Sequence, residues 1–208
     1  MQVGARAWCW IYAALHERAP LADGRRPVPT AAVIDSQTVR AAVTVPTASS
    51  GYDGGKKLKG RKRHVAVDTG GLLLAVVVTT ASLPGPRRWV PHHRRAARGV
   101  LHDHLVWADA GYAGRFVRDA GKIWDLAVAI VKRPDQAKGF VLLHRRWVVE
   151  RSFAWLTKFR RLVRDYETLP ATHEAMLWTA ATWQLSNASL SDPVHRRSLR
   201  RGSGRPRG

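Results

Sequence analysis

The chain has 208 residues, and its 35 Lys and Arg against 15 Asp and Glu give it a formal net charge of +20. An apolar fraction of 45% with nine Trp predicts a packed core, which excludes a purely disordered basic tail. A folded domain this basic, with a pI near 11.5, needs a polyanionic partner, and nucleic acid is the expected one.

Cysteine content and hydropathy exclude several other classes of protein. Cys9 is alone, so neither a disulfide framework nor a Cys-based zinc site is available. The longest apolar run, Leu72 to Ala81, is about half of the roughly 20 residues that a bilayer span requires. No small-residue cleavage site follows the first apolar segment, so a signal peptide is not indicated. We therefore expect a cytoplasmic protein without a membrane partner.

The first third of the chain predicts a helix, a connector and a strand. Trp8 to Leu15 is a short apolar segment with helical character, and a Pro- and Gly-rich connector follows from Ala19 to Pro29. The next segment, Ala31 to Asp35, is typical of a short buried strand with an acid at its end. Ser49-Ser50-Gly51 and Asp53-Gly54-Gly55 then mark a flexible loop.

A basic run precedes a predicted β-hairpin. Six cations fall within the eight residues 56–63, and His64 follows them. Such a run is typical of a solvated loop or a targeting address, and its position between strands equally favours a loop that contacts phosphates. Arg63 to Val67 and Leu72 to Thr80, joined by the turn Asp68 to Gly71, predict the hairpin, in which Asp68 is most simply a turn residue.

The middle of the chain alternates between an irregular stretch and short strands. Leu83 to Val100 is interrupted by proline and dense in arginine, and we hypothesise that it derives from coding sequence read out of frame. The histidines in and after it have no patterned acid or thiol beside them, so we expect no metal site there; they are His92, His93, His102 and His104. Leu105 to Asp109 again predicts a strand that ends in an acid, a short helix follows near Arg115 to Ala120, and Leu126 to Val131 predicts another strand.

Two helices and a tail complete the chain. Arg145 to Arg164 carries an apolar stripe at helical spacing, formed by Val149, Phe153, Leu156, Phe159, Val163 and Tyr166. At about 100° per residue Glu150 lies off that stripe, beside Arg146, and the simplest interpretation is an ordinary i,i+4 ion pair. A second helix is expected near Thr172 to Leu190. Residues 193–208 are rich in arginine and contain no acid, which predicts a disordered basic tail.

Three carboxylates form a candidate metal site. The order of elements predicts an α/β fold with a mixed sheet covered by helices. If the strands of Asp35 and Asp109 lie side by side, both acids emerge at one sheet edge, and a helix packed on the sheet brings Glu150 over them. Taken singly, either aspartate is more simply a loop or capping residue. Together they would repel unless divalent cations neutralised them, and two Mg²⁺ or Mn²⁺ ions with all-oxygen ligands suit displacement at phosphate.

Five separated blocks, in the same order, resemble those of DDE transposases from small bacterial insertion sequences. They lie within residues 31–187 and comprise Val33 to Arg40, Gly51 to His64, Val67 to Leu74, Val106 to Tyr112 and Arg145 to Arg151. The resemblance implies an RNase H-like catalytic domain over residues 31–190, preceded at 1–30 by the remnant of a helical region and followed at 191–208 by the basic tail. It also implies Asp35, Asp109 and Glu150 as the catalytic and metal-binding triad.

The implied function is metal-dependent strand cleavage at element ends followed by strand transfer. Double-stranded DNA is then the partner, a homodimer on DNA is an assembly that it permits, and the protein would be associated with the nucleoid. The cations expected to contact DNA are Lys56, Lys57, Lys59, Arg61, Lys62, Arg63, Arg146, Lys158 and Arg161.

The chain departs from the family pattern around the glutamate. Arg146 keeps the Arg-to-Glu spacing, but Leu143 takes the tyrosine position and Thr157 takes the lysine position, with Lys158 one place later. The alternatives are a defective copy, a stand-alone RNase H-like nuclease, and a basic DNA-binding remnant without chemistry.

Overall fold

The structure is a computed structural model that describes residues 3–22, 29–83, 105–124, 126–131 and 146–191. In chain order the elements are α1 (Val3–Ala22), β1 (Ala31–Arg40), β2 (Gly51–Asp53), β3 (Leu58–Asp68), β4 (Leu73–Thr80), β5 (Leu105–Ala108), α2 (Arg115–Trp124), β6 (Ala127–Ile130), α3 (Trp147–Leu156), α4 (Arg160–Val163) and α5 (Pro170–Ser191). Short 3₁₀ turns lie at Thr47–Ser49 and Ala110–Tyr112. Among the helices of the described ranges, none has the length and apolarity needed to cross a membrane.

The strands form one mixed sheet with β1 near its centre. On one side of β1 lies antiparallel β3, which pairs antiparallel with β4 and, through its first residues, with β2. On the other side lies β5, parallel to both β1 and β6. The six-stranded sheet, with antiparallel pairing among β1 to β4 and parallel pairing of β5 with β1 and β6, and the helices that flank it confirm the predicted α/β class with a mixed sheet.

Each face of the sheet packs on its own helices, because successive side chains on a strand point to opposite faces. Val33, Val65 and Trp107 belong to one core cluster, together with Phe153 of α3 and Leu177 of α5. Helix α1 joins the same cluster through Tyr12, whose ring centroid lies 5.2 Å from that of Trp178 on α5.

The second cluster covers the opposite face of the sheet. Ile34, Ala66 and Val106 supply its strand side, and Phe116 and Ala120 of α2 cover it. The sheet is therefore buried on both faces around β1 and β5, the two strands that carry the candidate aspartates.

Three predicted boundaries are wrong. β1 continues to Arg40, so Asp35 lies in the middle of the strand rather than at its end. Residues 58–63 belong to β3 and not to a loop, since only 54–57 form the turn after β2. Helix α1 is also longer than Trp8 to Leu15 and extends into the expected connector.

The predicted helix from Arg145 to Arg164 is interrupted. Helix α3 ends at Leu156, Phe159 is extended with φ −92° and ψ 113°, and α4 is a single turn. Consequently the last two residues of the predicted stripe, Val163 and Tyr166, are exposed rather than packed. The following helix is confirmed as α5, which begins at Pro170, where a missing N–H costs nothing.

Several predictions lie outside the described residues. These are the irregular stretch with its proposed frameshift, the four histidines at 92–104, Leu143 and the tail at 193–208. The domain boundaries at residues 30 and 190 stay predictions, although Tyr12 shares the core of the sheet domain.

Candidate active site

Two aspartates on neighbouring parallel strands lie at the same height of the sheet. Ile34 of β1 is opposite Ala108 of β5, so the next residue on each strand is Asp35 and Asp109 respectively. Both acids point to the face that carries α3, since they alternate in phase with Val33 and Trp107. β5 ends at this height and turns at once into the 3₁₀ turn, whose Tyr112 N–H donates to the Asp109 carbonyl at 3.0 Å.

A single guanidinium nitrogen contacts both carboxylates. Arg146, at the start of α3, places Nη2 3.1 Å from Asp35 Oδ2 and 3.9 Å from Asp109 Oδ2. The other oxygen of Asp35 accepts a hydrogen bond of 2.7 Å from the backbone N–H of Ser36. The Arg146 and Asp35 side chains are only 17% and 14% exposed, so little water reaches the pair.

Among the residues that the structure describes, the two carboxylates share a single cation, Arg146. Burial raises the pKa of Asp35 and the charge of Asp109 raises it further, against the lowering effects of the Ser36 N–H and of Arg146. Asp109 Oδ1 is itself buried without a hydrogen-bond partner. Burial also raises the pKa of the neighbouring Tyr112, whose phenol therefore stays neutral. A further cation at this place would satisfy the free oxygen and favour the charged form of Asp35.

Glu150 is not brought to the two aspartates. It lies in the first turn of α3 and is exposed. Within the described ranges, no three His, Cys, Asp or Glu side chains are close enough together to hold a metal ion. The structure therefore assembles two of the three predicted ligands, and Arg146 turns to Asp35 instead of serving only as an i,i+4 partner of Glu150.

The two aspartates fit part of a divalent-cation site. Carboxylate oxygens are the ligands that Mg²⁺ and Mn²⁺ prefer. Asp35 and Asp109 offer such oxygens from rigid, in-register strands, and one of them, Asp109 Oδ1, is buried without a partner. The chemistry of the donor set thus agrees with the expected ions.

The basic run divides into an outer and an inner set. Lys56, Lys57 and Lys59 are exposed at the β2–β3 turn and the start of β3. Lys62 is partly buried, with Nζ 3.6 Å from Asp53 Oδ2. Only the first three are fully presented to a partner.

The inner set corrects two predicted DNA contacts. Arg61 and Arg63 are each 1% exposed, so their guanidinium groups cannot reach a phosphate in this fold. All five hydrogen bonds of Arg61 end on the protein, including one of 3.0 Å to the fully buried Asp165. Arg63 donates to Gln37 and to the Leu162 carbonyl, and its guanidinium lies over the ring of Phe153.

These buried arginines hold the segment 157–169 against the sheet. In this segment the acidic side chains are buried, and most of the basic side chains are exposed. Its acids point inward: Asp165 contacts Arg61 and His173, and Glu167 accepts from Arg161 at 2.7 Å. Its cations Lys158, Arg160 and Arg161 are exposed. Sequence reasoning missed Asp165 and His173 entirely, because nothing local marks an acid whose partner is 104 positions away.

Comparisons with known proteins give a consistent result for the chain. Residues 26–185 match a family model described as "Transposase DDE domain". A putative transposase for insertion sequence element IS402 from Burkholderia cepacia is 34% identical over 125 residues, which cover 57% of this chain and 59% of that protein. The chain matches a solved structure, the Mos1 strand transfer complex, at 10% identity with a TM-score of 0.39, covering 84% of this chain and 59% of that one. This chain therefore spans about 59% of the length of the curated relative that it matches.

Proposed function

We propose, on the premise that this chain belongs to the transposase DDE-domain family, that it performs the phosphoryl-transfer chemistry of an insertion-sequence transposase. The reaction would be strand cleavage at the element ends, followed by attack of a freed 3′-hydroxyl on target DNA. The observation that carries the proposal is the in-register approach of Asp35 and Asp109, with more negative charge than Arg146 balances.

Asp35 and Asp109 would hold the two expected Mg²⁺ or Mn²⁺ ions. Glu150 lies apart from them in the structure and would have to move towards them to complete the ligand set. When bound, such ions activate the attacking oxygen and stabilise the leaving oxygen of an in-line displacement. The strands contribute rigidity, because β1 pairs with β3 through Asp35 itself and with β5 up to Ile34, which fixes the position of Asp35 along the sheet. The catalytic roles of all three acids are part of the proposal.

Double-stranded DNA would lie across the two exposed basic surfaces. One is the β2–β3 turn with Lys56, Lys57 and Lys59, and the other is formed by the exposed cations of segment 157–169. Neither surface presents a helix that could read base edges, so these contacts position DNA without specifying its sequence. Lys158 and Arg161 keep their predicted role here, a homodimer on DNA remains part of the proposal, and DNA binding would keep the protein at the nucleoid.

A second candidate is a DNA-binding remnant without chemistry. The position of Glu150, exposed and apart from the aspartates, favours it. A stand-alone nuclease would share the site and differ only in its substrate.

Plasmid cleavage with matched variants separates a catalytic function from the remnant without chemistry. A plasmid that carries the native element ends is incubated with the full chain and Mg²⁺ or Mn²⁺. Asp109→Asn is expected to lower strand cleavage by at least about 10²-fold, since one ligand is lost at the reacting centre, while duplex affinity stays within about twofold. Glu17→Gln, which changes an exposed acid of α1, should leave both unchanged. Cleavage that survives in Asp109→Asn removes this residue from the site, and no cleavage by the unaltered chain favours the remnant.

A further inference from the structure

Arg146 stands where a counter-ion of the two aspartates would stand. Its Nη2 contacts both carboxylates, at 3.1 Å from Asp35 Oδ2 and 3.9 Å from Asp109 Oδ2. An arginine that binds a carboxylate strongly uses two nitrogens in a planar fork. Here one nitrogen is shared, and the Arg146 Nε is a buried donor without a hydrogen-bond partner.

The aspartates also keep an oxygen without a hydrogen-bond partner. Asp109 Oδ1 is a buried acceptor without a partner, so a donor and an acceptor remain unpaired within one small site. Burying a donor or an acceptor without a partner is unfavourable. The arginine therefore neutralises part of the carboxylates' charge and leaves hydrogen-bonding groups unpaired, which makes the contact replaceable.

Replacement requires little movement of the backbone. The Arg146 carbonyl accepts the Val149 N–H at 3.1 Å, so its main chain belongs to the first turn of α3. Only the long side chain has to leave, and the same turn carries the exposed Glu150. A cation held by the same two carboxylates would need the oxygens that Nη2 now contacts, so the two would compete.

We propose that Arg146 is an internal counter-cation of Asp35 and Asp109 and that a divalent cation displaces it. This inference rests on the proposed function, since it requires the aspartates to bind metal. It assigns Arg146 the role of a competitor: its guanidinium occupies the carboxylate oxygens before metal binds and has to leave them when metal binds.

Mn²⁺ titration followed by electron paramagnetic resonance of the free ion tests the exchange without any cleavage. Arg146→Gln removes the competitor, so its Kd for Mn²⁺ should be about tenfold lower than that of the unaltered chain, because competition for one site is reciprocal. Arg146→Lys restores the charge and should return Kd towards the original value. A purely structural role would predict the opposite, because loss of a support would weaken metal binding.

Arg118→Gln is the matched control, since it removes the same charge from an exposed position on α2 and should change Kd by less than about twofold. Asp35→Asn should abolish the Mn²⁺ site in both backgrounds. Circular dichroism checks that each variant is folded.

The outcomes separate the inference from the proposed function. Equal or weaker Mn²⁺ binding by Arg146→Gln, with a site still abolished in Asp35→Asn, overturns the inference and leaves the metal site intact. No Asp35-dependent Mn²⁺ site in either background overturns both.

Discussion

Replacing Arg61 by methionine should test whether this arginine supports the fold rather than DNA binding. Methionine keeps most of the buried volume but leaves the acceptors of the guanidinium unpaired. These are Asp165 Oδ2, the carbonyls of Ser49, Glu167 and Thr168, and the Ser49 hydroxyl.

The expected loss in the free energy of unfolding follows from the burial of the Arg61–Asp165 ion pair. Arg61 and Asp165 are 1% and 0% exposed, and removing one member of a buried ion pair typically costs about 3–5 kcal/mol. Asp165 keeps the bonds from His173 Nδ1 and from the Glu167 N–H, so a value near the lower end, about 3 kcal/mol, is expected. For a chain of this size the melting temperature should fall by roughly 6–12 °C, at about 2–4 °C per kcal/mol.

Urea unfolding monitored by tryptophan fluorescence measures this loss directly. The control is Lys59→Met, two residues earlier on the same strand but exposed, which should cost less than about 0.5 kcal/mol. The effect on affinity for duplex DNA should be the reverse: Lys59→Met should bind DNA more weakly, and folded Arg61→Met should bind it as well as the unaltered chain does. A loss below about 1 kcal/mol for Arg61→Met, or equal losses for both variants, would refute the reasoning.

Three further measurements test other parts of the structure. Gly71→Ala should lower the free energy of unfolding by about 1–3 kcal/mol, because φ is +86° and the new Cβ would lie 2.9 Å from the side-chain oxygen of Ser152 on α3. Gly54→Ala is the control: its new Cβ would have no atom within 4 Å, so thermal unfolding should hardly change. Burial raises the pKa of Asp165, but hydrogen bonds and charges from His173 and Arg61 lower it more, so its pKa in the folded chain is below that in the unfolded chain. The charged Asp165 therefore stabilises the fold above about pH 4, and this stabilisation is lost as the pH falls through the folded pKa. Urea unfolding between pH 5 and pH 3 should show that loss, and Asp165→Asn should show a flatter profile. The plot of log duplex affinity against log salt should become shallower by about 0.9 for each phosphate that is no longer neutralised in Lys57→Gln and in Arg160→Gln; an unchanged slope would exclude that residue from the DNA surface.

Local sequence was sufficient to predict the two strands that carry or precede the aspartates, but it left their adjacency as a condition. The parallel pairing of β1 with β5 meets that condition and brings Asp35 beside Asp109. Helical periodicity also placed Glu150 off the apolar stripe, in agreement with its exposure. How far Glu150 lies from the sheet edge depends on helix packing, which periodicity does not encode.

The basic run shows where local sequence was insufficient. Arg61 and Lys62 are neighbours of the same charge class, yet Arg61 points into the core. The difference comes from acceptors 104 to 107 positions later in the chain, at Asp165, Glu167 and Thr168. Similarly, the stripe continues past Leu156 in sequence, so the interruption of the helix there could not be predicted from spacing alone.

The packing of α1 on α5 imposes an order on folding during synthesis. About 165 residues separate Tyr12 from its partner Trp178, and a ribosome adds roughly 5–20 residues per second. The contact between Tyr12, now 3% exposed, and Trp178 can therefore form only about 10–30 s after Tyr12 is made. During that time the part of Tyr12 that Trp178 covers is open to chaperones and to neighbouring nascent chains, next to the still exposed Trp10. Helix α1 thus completes its packing only after α5 has emerged.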